Sequence, residues 1–246
     1  MTLVASYPFT DFSGVQGVSG NGQVLAGASY PQGIPDVLTI ENGAMRAFLS
    51  DSHAITTVGH RTEMYLTPDA NSGEVWYAWE FMLPAAYWAA YTGGALTTGQ
   101  WHDSNDVGDG ARQPNAMFQV LGGVLYITWP RAALPTEGTQ FDRFPLIELE
   151  WGRWYSVCVR VNWQITTTGF REVFVDRVQR FRQWNVATAY DDTVGPYFKL
   201  GIYNTSGGNS EDKVAYFRNL KRWSGNDGYQ AVVGGVPVIA APIQQS

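Results

Sequence analysis

The stretch YFKLGIY, residues Tyr197–Tyr203, decides the fold and supplies the first candidate site. Read as a β-strand, it places Tyr197, Lys199 and Tyr203 on one face, because successive strand side chains alternate. The three apolar residues between them fall on the other face, and Gly201 leaves a gap in the polar row. The pattern therefore predicts a strand with one face in a hydrophobic core. Its other face carries phenols and an ammonium group, which suits an acidic ligand.

Two further segments repeat this design. In the segment QWH, the first and third residues point one way and the apolar Trp101 points the other way. In the segment RTEMY, the first, third and fifth residues share a face, and Thr62 and Met64 point to the opposite face. The polar faces of these two segments carry Gln100, His102, Arg61, Glu63 and Tyr65.

The three segments, in this chain order, resemble the motifs of the alginate-lyase type of polysaccharide lyase. These motifs are R-x-E-(L)-x-R, Q-(I/V/W)-H and Y-x-K-x-G-x-Y. The QWH and FKLGIY forms are most similar to the branch that includes glucuronan lyases and heparin-lyase-like proteins. The resemblance extends from about Gly59 to Trp223. It implies an all-β fold, a concanavalin-like β-sandwich or jelly roll with an open concave groove.

The same resemblance implies an enzyme, a depolymerase that cleaves a uronate-containing acidic polysaccharide by β-elimination. No metal or cofactor motif is visible in the sequence, so we expect no metal or other cofactor. The implied catalytic residues are Gln100, His102, Tyr203 and Arg61. The implied substrate-binding residues are Lys199, Tyr197, Tyr65 and Glu63.

These side chains match the chemistry of the reaction. Removal of the C5 proton places negative charge on the adjacent carboxylate, which Arg61 and Gln100 can neutralise as hydrogen-bond donors. His102, with an ordinary pKa of ~6.5, can take the proton near neutrality. Tyr203 can protonate the leaving oxygen or also act as base, and we expect Lys199 to lower its pKa. We expect Glu63 to pair with Arg61 and orient it.

Two positions depart from the family pattern. Tyr65 stands where the second arginine of the first motif is expected, and Thr205 stands where a glutamine often follows the catalytic tyrosine. Fewer groups are therefore present to neutralise the substrate carboxylate than in a typical alginate lyase. Either the substrate differs or the site is degenerate. The alternative function is a glycan-binding module on the same fold. His102 taken alone would be a structural histidine, and Lys199 a solvated strand residue.

The rest of the chain favours strands throughout. Among the 246 residues 14% are aromatic and 15% charged, and no long segment has helical periodicity. The pattern predicts one domain over residues 1–225, with a helical turn or loop at Pro84–Gly94 and a hairpin turning at Asp176–Arg177. For residues 226–246 the sequence predicts an extended apolar arm that docks on a protein partner. The strand candidates are 37–40, 44–49, 59–66, 75–83, 99–102, 116–120, 124–129, 154–163, 197–203 and 214–222.

Net charge and targeting signals restrict the binding partners and the cellular location that the sequence allows. The net charge of −6 argues against a nucleic-acid partner, and we expect local arginines in 171–182 to give the groove positive charge. No signal peptide and no membrane span are visible. Cys158 is the single cysteine and is predicted to be buried, and the acidic loop 103–110 does not match a calcium motif. Location stays open between the cytoplasm and a virion surface or decoration protein released by lysis.

Overall fold

The structure is a computed structural model that describes residues 2–55, 59–70, 72–104, 106–107, 109, 112–130, 141–204 and 211–225. Its secondary structure in this part of the chain is almost entirely β. The strands are β1 Thr2–Tyr7, β2 Gly17–Gly20, β3 Gln23–Ala26, β4 Leu38–Glu41, β5 Ala44–Leu49, β6 His60–Tyr65, β7 Gly73–Met82, β8 Leu96–Ser104, β9 Ala116–Leu121, β10 Val124–Pro130, β11 Phe141–Glu148, β12 Trp154–Trp163, β13 Gly169–Val175, β14 Val178–Val186, β15 Val194–Asn204 and β16 Lys213–Ser224. One short helix, α1 Ala85–Trp88, follows β7, and a single 3₁₀ turn covers Gly27–Ser29.

The strands form two antiparallel eight-stranded sheets. Sheet A has the order β14-β13-β12-β7-β16-β5-β4, and β1 also pairs with β16. Sheet B has the order β11-β10-β9-β8-β15-β6-β2-β3. The all-β sandwich expected from the sequence is confirmed.

The core lies between the inner faces of the two sheets. Aromatic rings fill its centre, with the ring centroids of Trp101 and Phe198 4.7 Å apart and those of Trp79 and Phe118 5.3 Å apart. Phe198, Leu200 and Ile202 are fully buried, as the alternation in β15 predicts. Burial of these rings is the main favourable contribution to folding.

Several local features agree with the sequence and others do not. The hairpin β13–β14 turns at Asp176 and Arg177, both with positive φ, and α1 lies within the predicted Pro84–Gly94 segment. β11 was not predicted. The C-terminal arm 226–246 and Thr205 lie outside the described residues.

Sheet B positions the candidate site because β6, β15 and β8 are adjacent. β15 lies between β8 and β6, so three segments that are distant in sequence become neighbours. Gly201 in β15 has φ 153°, and a Cβ there would overlap the carbonyl oxygen of Thr62 on β6. Only glycine permits this close approach of the two strands.

Candidate active site

The register of sheet B brings the predicted residues together on its outer face. Tyr203 pairs with Arg61, and Tyr197 pairs with His102. Lys199 pairs with Tyr65 on one side and with Gln100 on the other. The eight side chains singled out from the sequence therefore form one contiguous surface over β6, β15 and β8.

This surface borders a cavity of about 320 Å³. Its lining includes four of the predicted residues and two residues from the β2 side of the sheet. These are Arg61, Tyr65, Tyr197 and Lys199, and Gln16 and Ser19. Tyr65 reaches over β2, where a Cβ at Gly17 would overlap its phenol. Tyr65 thus forms an aromatic wall at the position where an arginine was expected.

Gln100 and Glu63 form a buried pair. The side-chain Nε2 of Gln100 donates a hydrogen bond of 2.6 Å to Oε1 of Glu63. Gln100 is 0% exposed and Glu63 is 1% exposed. The carboxylate can only accept, so the amide nitrogen must face it. Oε1 of Gln100 and Oε2 of Glu63 are then left without a hydrogen-bond partner among the described residues. Buried polar atoms without partners are uncommon and mark this pair as a candidate for ligand binding.

Arg61 is the cation that contacts Tyr203. Its guanidinium carbon lies 4.5 Å from the centroid of the Tyr203 ring. Burial raises the pKa of Tyr203, and the neighbouring Arg61 opposes this increase. The expectation that Lys199 lowers the Tyr203 pKa is wrong, because the ammonium of Lys199 lies over the Tyr197 ring of the same strand, whereas the register pairs Tyr203 with Arg61. Tyr203 stays protonated at neutral pH, as a proton donor must.

Lys199 is a buried ammonium that forms no ion pair within the described part of the chain. It is 7% exposed, and its Nζ lies 5.1 Å from the centroid of the Tyr197 ring. No carboxylate of the described residues lies within ion-pair distance of it. Burial lowers the pKa of Lys199, and the charge of Glu63 partly offsets this effect. Burial also raises the pKa of Tyr197 to about 12.

His102 is held by the residue that follows it. Its Nδ1 lies 3.2 Å from the backbone oxygen of Asp103 and 2.8 Å from Oδ1 of the same residue. The contact with the carboxylate is close but lacks the alignment of a hydrogen bond. With oxygen acceptors around Nδ1, the neutral ring keeps its proton on that atom, which leaves the lone pair on Nε2. The His102 side chain is 28% exposed, so the ring is accessible.

Asp103 is a residue that the sequence analysis missed. It was assigned to a polar acidic loop, whereas the structure places it within β8 with a fully buried side chain. Arg112, which binds Asp192 at 2.7 Å, belongs to the same buried end of the sandwich. Burial raises the pKa of Asp192 to about 6. The charge of Asp103 also raises this pKa, whereas the charge of Arg112 lowers it. Successive side chains of β8 point to opposite faces of the sheet, and His102 and Asp103 are consecutive. The alternation pattern therefore gave no reason to expect a contact between them.

The arginines expected to charge the groove lie elsewhere. Arg171 is in β13, and Arg180 and Arg182 are in β14, all in sheet A. The expectation that they line the groove is therefore wrong, since the candidate site lies on sheet B. Positive charge at the site comes instead from Arg61 and Lys199.

The described residues contain no group of three or more His, Cys, Asp or Glu side chains arranged to hold a metal ion. Nor does any helix in the described ranges have the length and apolar character needed to cross a membrane. Cys158 is buried, and burial raises the pKa of its thiol.

Comparison with known proteins identifies the family. The family model described as polysaccharide lyase matches residues 8–221, which is most of the chain. The chain belongs to the polysaccharide lyase family. The match includes all three motifs of sheet B, and it confirms the resemblance inferred from them.

Solved structures of polysaccharide lyases share the fold. An endo-β-1,4-glucuronan lyase from the fungus Trichoderma reesei is 17% identical, with a TM-score of 0.67, covering 94% of this chain and 98% of that one. A family 7 alginate lyase, A1-II′, is 13% identical, with a TM-score of 0.69, covering 90% and 100%. An alginate lyase from Pseudomonas aeruginosa is 15% identical, with a TM-score of 0.64, covering 87% and 99%. No curated protein sequence matches the chain.

Proposed function

We propose that this polysaccharide lyase cleaves a uronate-containing acidic polysaccharide by β-elimination on the outer face of sheet B. The observation that carries the proposal is the convergence of Arg61, Lys199, His102 and Tyr203 on three adjacent strands. Structures with the same fold include lyases named for glucuronan and alginate, which are both acidic polymers.

The first step is charge neutralisation at the substrate carboxylate. Arg61 and Lys199 line the cavity and supply two positive charges at its floor. Gln100 lies opposite Lys199 in the register, and its amide nitrogen donates to Glu63. Donors held in a site of low dielectric stabilise the charge that develops when the C5 proton leaves.

The second step is proton transfer. His102 accepts the C5 proton at Nε2, and the oxygens of Asp103 beside Nδ1 stabilise the imidazolium that forms. Tyr203 donates its phenolic proton to the glycosidic oxygen as the C4–O bond breaks. The electron pair of the C5–H bond forms the C4–C5 double bond, so one product carries an unsaturated uronate. The phenolate of Tyr203 then regains a proton from solvent or from His102.

The experiment that tests this reaction uses purified protein with glucuronan, alginate, heparinoids and bacterial capsular polysaccharides. Elimination gives a rise in ultraviolet absorbance from the unsaturated product, and its mass is one water lighter than the corresponding hydrolysis product. A flat absorbance trace with every polymer, or hydrolytic product masses, would contradict the proposal.

The second candidate function is glycan binding without cleavage. The observation that favours it is Tyr65, which forms an edge contact with Tyr197 at 6.2 Å between centroids and adds no charge where an arginine was expected. Under this alternative, the protein binds an acidic glycan with no product formation on any polymer. The comparisons give no support to a virion protein, and that location stays a prediction.

A further inference from the structure

A second cavity lies between the sheets, away from the groove on sheet B. It has a volume of about 230 Å³ and opens beside the exposed residues Thr167 and Asn185. Its walls come from the end of β10, from the hairpin β13–β14 and from the segment before β15. It shares no lining residue with the groove cavity.

Arg171 is the charged residue of this cavity. It is 6% exposed, its Nη2 donates to the backbone oxygen of Ala187 at 3.1 Å, and its guanidinium lies 5.4 Å from the Trp129 ring. Its Nη1 has no hydrogen-bond partner, and Arg171 forms no ion pair with the described residues. Burial lowers the pKa of Arg171 to about 10. A buried cation without a counter-ion is costly, so an anion in the cavity would stabilise it.

Two open acceptors accompany this cation. Asn115 is 4% exposed, and its Nδ2 lies 3.5 Å from the backbone oxygen of Thr188, while its Oδ1 has no partner. Gln183 pairs directly with Arg171 across β13 and β14, and its Oε1 also has no partner. Asp142 adds a carboxylate to the lining. The cavity thus offers one cationic donor, on Arg171, and two amide oxygens, on Asn115 and Gln183, that have no partner among the described residues.

We infer that this cavity binds a single acidic sugar residue, with its carboxylate on Nη1 of Arg171 and its hydroxyls on Asn115 and Gln183. A carboxylate matches a guanidinium donor, and sugar hydroxyls satisfy amide oxygens. The choice of a sugar acid rests on the proposed function, whereas the anion site follows from Arg171 itself. The lyase would then hold a uronate at two separate places, one on sheet B and one between the sheets.

The test is isothermal titration calorimetry with glucuronate, using glucose and acetate as controls. The Lys199→Met variant removes a groove contact and keeps this cavity, so it is the background for the measurement. We expect saturable glucuronate binding in that background, and at least about tenfold weaker binding when Arg171→Met is added. Glucose and acetate should bind more weakly than glucuronate, since each lacks half of the recognised groups.

A second variant distinguishes loss of glucuronate binding from loss of folding. Gln183→Glu places a carboxylate beside Arg171, because directly opposed strand residues have neighbouring side chains. This internal counter-ion should raise the melting temperature and abolish glucuronate binding. Unchanged binding in both Arg171→Met and Gln183→Glu would overturn the inference, as would equal binding of acetate and glucuronate.

The outcomes separate this inference from the proposed function. If no polymer is cleaved but Arg171→Met still removes glucuronate binding, the cavity stands and the lyase reaction fails. If elimination is observed and Arg171→Met leaves glucuronate binding unchanged, the reaction stands and the cavity assignment fails.

Discussion

The outward faces of the two sheets differ in whether their charged side chains are paired. On sheet A, Arg160 makes two hydrogen bonds to Glu74, at 3.0 and 2.9 Å, and one to Glu172 at 3.1 Å. On sheet B, Lys199 forms no ion pair with the described residues, and buried oxygens of Glu63 and Gln100 have no partner among them. A saturated network stabilises a fold, whereas unsatisfied buried groups are retained where a ligand completes them. The contrast assigns a structural role to the Arg160 cluster of sheet A and a functional role to the polar groups on the outer face of sheet B.

The largest expected effect is on catalysis at His102. His102→Ala should lower the rate of product formation by ~10²–10⁴-fold, the range typical for loss of a general base. The free energy of unfolding should change little, because the ring is partly exposed. Initial rates from ultraviolet absorbance and urea unfolding curves measure the two quantities.

The control for this change is His53→Ala, which removes a histidine that packs against Phe48 with ring centroids 5.2 Å apart. This variant should keep the wild-type rate. Equal loss of activity in the two variants would show that His102 has no special part in the reaction.

The next effect is on stability and falls on sheet A. Arg160→Met leaves Glu74 and Glu172 without their cation, and this should lower the free energy of unfolding by about 2 kcal/mol, since the cluster is only partly buried. Elimination activity of the folded protein should be unchanged. Chemical denaturation and the absorbance assay together measure this result. Strong loss of activity at wild-type stability would reverse the roles assigned to the two sheets.

Lys199→Met should act on substrate binding. Loss of the ammonium in the groove should raise KM for an acidic polymer by about tenfold, equivalent to one charge-assisted contact, with a smaller change in kcat. The free energy of unfolding should shift by less than about 1 kcal/mol, because no ion pair is broken. Steady-state kinetics with Lys199→Arg as control, which keeps the charge, separate charge from shape. A KM unchanged in Lys199→Met would remove Lys199 from the binding surface.

The smallest effect concerns pH. Burial lowers the pKa of Lys199, so its positive charge is lost at a pH below the ordinary value of ~10.4. KM for an acidic polymer should therefore rise in this alkaline window for the wild type and stay flat for Lys199→Arg. In the same window the unfolded chain binds more protons at this position than the native chain does. The unfolding free energy of the wild type, measured relative to Lys199→Met, should therefore increase with pH. Identical KM profiles for wild type and Lys199→Arg would contradict this assignment.

The sequence was sufficient for those parts of the structure that depend on local alternation. The strand patterns of Tyr197–Tyr203 and of its two partner segments correctly separated the residues that face the core from those on the polar face. The motif order then indicated that the three polar faces meet. β11 was missed because its sequence carries three charged residues and Pro145, which weaken a strand pattern and are tolerated at a sheet edge.

What the sequence could not give is the partner of each side chain across strands. The contact of Arg61 with Tyr203, the bond of Gln100 to Glu63 and the position of Asp103 beside His102 all depend on register and rotamer. Arg171 shows the same limit. A run of arginines in a hairpin has no visible inner or outer face until the sheet is assembled, and Arg171 points into the interior.

The most direct test of the account compares two tyrosines, one on each sheet. Tyr203 on β15 and Tyr216 on β16 are both partly buried, and each loses one hydroxyl on substitution by phenylalanine. With a polymer that the wild type cleaves, Tyr203→Phe should lower the initial rate of unsaturated product by at least about 100-fold, while Tyr216→Phe keeps the wild-type rate. Equal rates in the two variants would contradict the claim that the open polar face of sheet B carries the reaction.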